Sequence, residues 1–163
     1  MTTLRRWMDR SSPGFTFVEL LVATAVMIVL ASAALPLVRV SMKRQKEIEL
    51  KRSLREMRTA IDQFKDWADA GRIATTELQF GGENYPSSLQ QLVDGVTLTN
   101  DATGNRKKFL RRIPIDPMTG STDWALRSYN DAPDSRAWGG QNVFDVRTRL
   151  DGTALNGTKY KDW

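Results

Sequence analysis

The chain has 163 residues, a net charge of +5, and neither cysteine nor histidine. It can therefore form no disulfide, no thiolate or imidazole metal site and no imidazole general base. No nucleophile motif is recognisable either, so the expectation is a protein that is not an enzyme. The length suits one modest domain plus an anchor. The positive balance suits anionic lipid or simple solubility better than nucleic acid, because the charge gathers just after an apolar stretch.

Residues 1–14 are basic, with Arg5, Arg6 and Arg10 against Asp9. Residues 15–38 then carry one charge, Glu19, and none at all from Leu20 to Val38. At 1.5 Å per residue such a helix would be roughly 36 Å long, enough to cross a hydrocarbon core of about 30 Å. A carboxylate in such a span costs about 2.5–3.5 kcal/mol on insertion scales, so Glu19 calls for a partner or a role. Cleavage between Gly14 and Phe15 would create an α-amine at the membrane that could pair with Glu19 of a neighbouring copy. Pro36 lacks an N–H and predicts a kink or local loosening of the preceding turn.

Orientation is contested by charge. Arg39, Lys43, Arg44, Lys46, Lys51, Arg52, Arg55 and Arg58 outnumber the arginines of the first segment. Counted alone, they would keep the larger domain in the cytoplasm.

From residue 39 to 70 the helical pattern continues. Leu50, Leu54, Met57, Ile61, Phe64 and Ala68 step by threes and fours, which makes one apolar stripe. The reading favoured is a stripe packed on the chain's own sheet rather than a coiled-coil seam. Glu47 with Lys51, and Arg58 with Asp62, are spaced to pair along the helix surface. After Gly71 the pattern breaks. A short helix is expected after Ser87 or Ser88, with Leu89, Leu92 and Val93 on one face. Residues 99–108 read as a polar loop. Pro114 and Pro117 bar a regular helix and give a turn-rich approach to a strand. Residues 124–129 and 142–149 alternate like strands, separated by the loop of Asp131 and Asp134, both read as turn residues. Asp151-Gly152 and Asn156-Gly157 signal turns, and an aromatic end, Tyr160 and Trp163, should dock on the domain. The fold class is α+β: a long N-terminal helix on a small antiparallel sheet.

Gly14-Phe15-Thr16-Phe17-Val18-Glu19-Leu20-Leu21-Val22 closely resembles the prepilin cleavage site of the type IV pilin and type II secretion pseudopilin superfamily. The resemblance implies cutting by prepilin peptidase after Gly14, N-methylation of Phe15, and assembly through Glu19 and a helix proline, Pro36. It implies a leader at 1–14, a transmembrane or filament-core helix at 15–38, its amphipathic continuation at 39–70, and a globular domain at 71–163. It also places the chain in a bacterial inner membrane with that domain in the periplasm, against the charge count. Later segments resemble the G-type major pseudopilin: Tyr85-Pro86, the run Leu110 to Pro117, Val143-Phe144-Asp145-Val146, Asp151-Gly152 and Asp162-Trp163. That class is a homopolymer working with minor pseudopilins and an inner-membrane assembly platform in protein export. A type IV pilus pilin, for adhesion, motility or DNA uptake, stands as the alternative.

G-type pseudopilins hold calcium in the loop after the last strand. The implied ligands here are Asp151, Thr148 and Asp162. Calcium takes six to eight oxygens, however, and Arg147, Arg149, Lys159 and Lys161 crowd this loop. A turn closed by hydrogen bonds is the other reading. Arg106-Lys107-Lys108 with Arg111-Arg112 forms a basic cluster around Phe109, read as a solvated loop or a filament contact before nucleic acid.

Overall fold

The computed structural model describes residues 14–99, 104–135 and 137–163, with 33–35 as backbone only. One helix dominates: α1, Phe17–Asp69, continuous through Pro36. The rest is a short helix α2, Leu89–Asp94, two small antiparallel pairs and two single 3-10 turns, Thr75–Glu77 and Tyr160–Asp162. Strand β1, Val96–Thr97, pairs with β2, Arg106–Lys107; β3, Ala125–Arg127, pairs with β4, Asp145–Arg147. This is the α+β layout expected, although the strands are shorter than the alternating segments that announced them. The stretch read as a polar loop also contains β2.

Two compact units divide the chain after Ser41. In the first, every described side chain of α1 is exposed. In the second, Met42–Trp163, the stripe Leu50, Leu54, Met57, Ile61, Phe64 and Ala68 is buried from end to end. It packs with Ile73, Leu92, Val96, Leu110, Trp124, Val143, Val146 and Tyr160 in one core. The stripe is thus the domain's own core face, because threes and fours keep one side of the helix turned to the loops and sheets.

Local rules place the smaller elements. Ser88 caps α2 by accepting from the Gln91 N–H at 3.3 Å. Gly95 ends it with φ of 81°, and a Cβ there would meet the Lys107 carbonyl oxygen at 2.7 Å. Only glycine lets β2 come so close. The turn before β3 is organised by Asp116, which is fully buried. Its carboxylate accepts from the Met118 N–H at 2.8 Å and from the Thr148 hydroxyl at 2.6 Å. The indole of Trp124 donates to the Pro114 carbonyl at 2.9 Å.

The helix-surface pairs expected at Glu47–Lys51 and Arg58–Asp62 give way to longer-range partners. Glu47 is buried and accepts from the Leu155 N–H and the Tyr160 hydroxyl, both at 2.9 Å. Lys51 lies over the Trp163 ring at 4.2 Å. Arg58 reaches Asp145 at 2.7 Å and the main-chain oxygens of Val146 and Trp163 at 3.1 and 2.7 Å. A surface pair along a helix is worth a few tenths of a kcal/mol, whereas a hydrogen bond to a charged group contributes about 1.5–3. The longer-range arrangement wins.

Candidate functional site: the N-terminal segment and the C-terminal loop

Thr16 begins α1. Its hydroxyl accepts from the Glu19 N–H at 3.2 Å and its carbonyl from the Leu20 N–H at 3.1 Å. Thr16 and Glu19 therefore occupy the cap and third positions of the helix, the spacing of a capping box. A carboxylate in the first turn also faces the positive end of the helix dipole. Glu19 is exposed, as are Phe15 and the apolar side chains that follow it. The Thr24 hydroxyl is satisfied within the helix by the Leu21 carbonyl at 2.9 Å. That leaves Glu19 as the one ionisable group between Gly14 and Val38, on a helix long and apolar enough to cross a membrane.

Gly14 itself is exposed, and a Cβ there would meet nothing within 4 Å. Among the described residues nothing requires glycine at this position. Residues 1–13 of the expected leader lie outside the described residues.

At the other end, Asp134, Arg147, Arg149, Asp151, Lys161 and Asp162 surround a cavity of about 330 Å³, together with Thr148. The structure thus brings the three expected calcium ligands to one place, but not as a ligand set. The Thr148 hydroxyl donates to buried Asp116 and accepts from the Leu150 N–H at 3.1 Å. Arg149 pairs with Asp123 at 2.9 Å, and the Arg147 guanidinium donates to the Ser135 carbonyl. Three cations and three carboxylates line it together, and no cluster of three or more acidic groups suited to a metal exists among the described residues. The donor set does not fit a cation that wants six to eight oxygens.

Hydrogen bonds close the loop instead. Ala154 N–H donates to the Thr158 carbonyl at 2.8 Å, Gly157 N–H to Ala154 at 3.0 Å and Tyr160 N–H to Gly152 at 3.0 Å. Thr153 bridges Lys159, and the Trp163 indole donates to the Thr158 hydroxyl at 2.7 Å. Lys43 of α1 donates to the Thr153 carbonyl at 2.7 Å. Burial and then the Glu47 carboxylate push the Tyr160 phenol up to about 12. The aromatic end docks as expected, with Tyr160 and Trp163 edge to face at 5.1 Å.

The other sites read from sequence are largely structural. Asp131 accepts from the Ser128 and Gly139 N–H groups at 2.8 and 3.0 Å, which hold its carboxyl below the usual range. Arg106 is tied to the Gly95 carbonyl and to Glu77, and Lys107 lies over Trp67 at 4.9 Å. Lys108, Arg111 and Arg112 stay exposed. Sequence reasoning missed Glu47 as an anchor of the C-terminal loop. The available signal was an acid three residues before Leu50, at the edge of the apolar stripe.

No curated protein and no solved structure matches the chain. Residues 9–35 match the family model described as the prokaryotic N-terminal methylation motif. The chain thus carries the N-terminal signal of a type IV pilin-like, prepilin-processed protein.

Proposed function

We propose that this protein is a non-catalytic filament subunit of the pseudopilus type, cut after Gly14, methylated at Phe15 and polymerised through α1. The observation that carries this reading is the pairing of the methylation motif with a long apolar helix segment whose described side chains are all exposed. Such a surface needs a bilayer before assembly and like helices after it. Glu19 adds direction. In a bilayer its carboxylate can be protonated or reach toward the interface. Among packed helices a neighbour's Phe15 amine supplies the matching cation, and removing one partner of a buried pair costs on the order of 3–5 kcal/mol.

The finer assignment, a type II secretion pseudopilin with a periplasmic domain, is supported by the resemblance of Tyr85-Pro86, Leu110 to Pro117 and Asp162-Trp163 to the G-type class. Its partners would be prepilin peptidase, minor pseudopilins and the inner-membrane assembly platform. The loop of Asp151 departs from that class in its donors and is proposed to act without calcium.

N-terminal sequencing of the native protein tests the core of the reading: the mature chain should begin at Phe15. Gly14→Leu should accumulate precursor while leaving the fold unchanged. Glu19→Ala should be cut normally yet yield no sheared filaments in electron micrographs. A mature start elsewhere, or normal filaments from Glu19→Ala alone, would reject the processing or the assembly step respectively. In the host, loss of protein export without loss of surface pili on deletion separates the pseudopilus from a type IV pilus.

A further inference from the structure

Asn142 is completely buried and acts as a hub. Its side-chain carbonyl accepts from the Tyr129 N–H at 2.9 Å, and its amide donates to the Gly82 carbonyl at 3.1 Å. Its main-chain carbonyl accepts from the Ser128 hydroxyl at 2.9 Å and the Trp138 indole at 2.8 Å. Asp131 ties the same loops a second time through Ser128 and Gly139.

What these bonds hold in place is apolar and faces water. Phe80, two residues before Gly82, is fully exposed; Tyr129 is 53% and Trp138 41% exposed. Tyr129 is stacked on Tyr85 at 5.8 Å and meets Phe144 edge-on at 5.5 Å. The indole N–H is already satisfied internally, so Trp138 presents ring and not donor. Aromatic rings fixed in advance lose little conformational freedom on contact, and such residues anchor protein interfaces. Acidic groups neighbour these rings. Exposed Asp62 and Asp69 act on Tyr85, half-buried Asp131 accepts from the N–H groups next to Tyr129 and Trp138, and exposed Glu83 precedes Tyr85 by two residues. The cation among them, Lys65 over the Tyr85 ring at 5.3 Å, is paired with Asp69 at 2.7 Å. Asn84 donates to Asp69 at 2.9 Å, which joins this loop to α1. Burial first, and then Asp62 and Asp69 working against Lys65, hold the Tyr85 phenol above its usual range.

The same unit carries a second, different surface of opposite charge. Arg52, Arg55, Thr59 and Gln63 of α1 line a groove of about 510 Å³ with Phe109. Exposed Lys108, Arg111 and Arg112 flank Phe109 in the chain, while Glu56 is the one acid in the groove's lining. Guanidinium groups already rest on rings in this molecule, as Arg127 does on Phe144 within the aromatic face itself at 5.3 Å and Arg72 on Trp67 at 5.3 Å. An exposed Tyr or Trp face is a fitting partner for an arginine-lined groove.

We propose that the aromatic face around Asn142, through Tyr129 and Trp138, docks in the Arg52–Arg55–Phe109 groove of a second copy of this chain. Charge selects the arrangement. Like face against like face would set acid against acid, whereas face to groove sets acid against base. Because the two patches differ, each copy uses both, and a contact of this heterologous kind propagates into an open filament when it does not close into a ring. The inference rests on the filament reading and adds to it a contact outside the apolar helix segment.

The absence of cysteine makes the test specific. Full-length Trp138→Cys and Arg55→Cys chains are co-assembled in membranes and treated with a short bismaleimide. Tyr129→Cys with Arg52→Cys is run in parallel, since losing the Trp138 indole removes one bond to Asn142. A dimer that appears in either mixture, several-fold above each variant alone, supports the contact, and raising salt should reduce its yield. Filaments that look normal but yield no mixed dimer from either pair overturn it, as does a dimer formed by Trp138→Cys alone. Those outcomes leave the filament reading standing. A wild-type chain that forms no filaments removes both.

Discussion

The two halves of α1 are one helix by hydrogen bonding and two different objects by packing. Residues 17–41 expose every described side chain, most of them apolar. Residues 42–69 bury one stripe completely, with Glu47 at its edge, and turn most of their charges outward. The difference shows that helix formation and fold stability are separate questions. The second half is stabilised by its own domain through Leu50, Met57, Ile61 and Phe64. In the first half every described side chain is exposed, so burial among the described residues does not stabilise it; the filament reading assigns its stability and register to a bilayer and to other copies.

Substitution can break that contrast, and the core should respond most. Phe64 is fully buried and meets Phe109 edge-on at 5.5 Å. Phe64→Ala should destabilise the Met42–Trp163 unit by about 3–5 kcal/mol through lost burial and a cavity. Val29→Ala, on the exposed half, should leave the melting of that unit unchanged. Both are read by thermal unfolding of the full chain in detergent, followed by near-UV signals from the tryptophans, all five of which lie outside residues 14–41. Since Trp7 lies at the other end, a Trp7→Phe background keeps the signal on the folded unit. Equal effects from the two substitutions would mean that the halves are not energetically distinct.

Next in size is the anchor that joins the helix to the C-terminal loop. Glu47→Ala leaves the Leu155 N–H and the Tyr160 hydroxyl without their acceptor, at a cost of about 2–3 kcal/mol. Hydrogen exchange should rise at 153–160 before it rises at α2. A uniform rise would show that the loop and the core open together.

The same contact predicts an alkaline limit of similar or smaller size. Tyr160 titrates near pH 10 when unfolded and is pushed up to about 12 in the fold. Its contribution is fully present below about pH 10 and is lost as pH rises through 12, amounting to about 2–3 kcal/mol for two pH units. Tyr160→Phe should lack this part of the alkaline loss, measured as the difference between the two denaturation curves at pH 9 and pH 12. Parallel curves would place the strain elsewhere.

The smallest expected effect is that of calcium. With Thr148 held by Asp116 and the loop closed by Ala154–Thr158 and Gly152–Tyr160 hydrogen bonds, neither calcium nor chelator should move the melting temperature. A rise that Asp151→Ala abolishes would establish a metal site by mass action on the folded state.

The contrast within α1 was legible in the residues, because it rests on short-range periodicity. An unbroken apolar run, a later stripe of threes and fours, a serine cap at 87 or 88 and Gly71 as a stop all act within a few residues. The cleavage motif is legible for the same reason: Gly14, Phe15 and Glu19 are neighbours in sequence. Polar partners were not. Glu47 pairs on paper with Lys51 and in the fold with Tyr160; Arg58 pairs on paper with Asp62 and in the fold with Asp145. Thr148 offers an oxygen to a loop ion on paper and donates it to buried Asp116 in the fold.

What the residues alone determined is where the long helix runs, which side of its second half is apolar, and that the N-terminus carries the methylation motif. Tertiary structure decided which charges are buried, how the C-terminal loop closes and which rings face water. The reason is physical: a helix reads its neighbours three and four residues away, whereas a buried donor or acceptor takes whichever partner the packed core brings to it, since leaving it unpaired costs more than any surface pair returns.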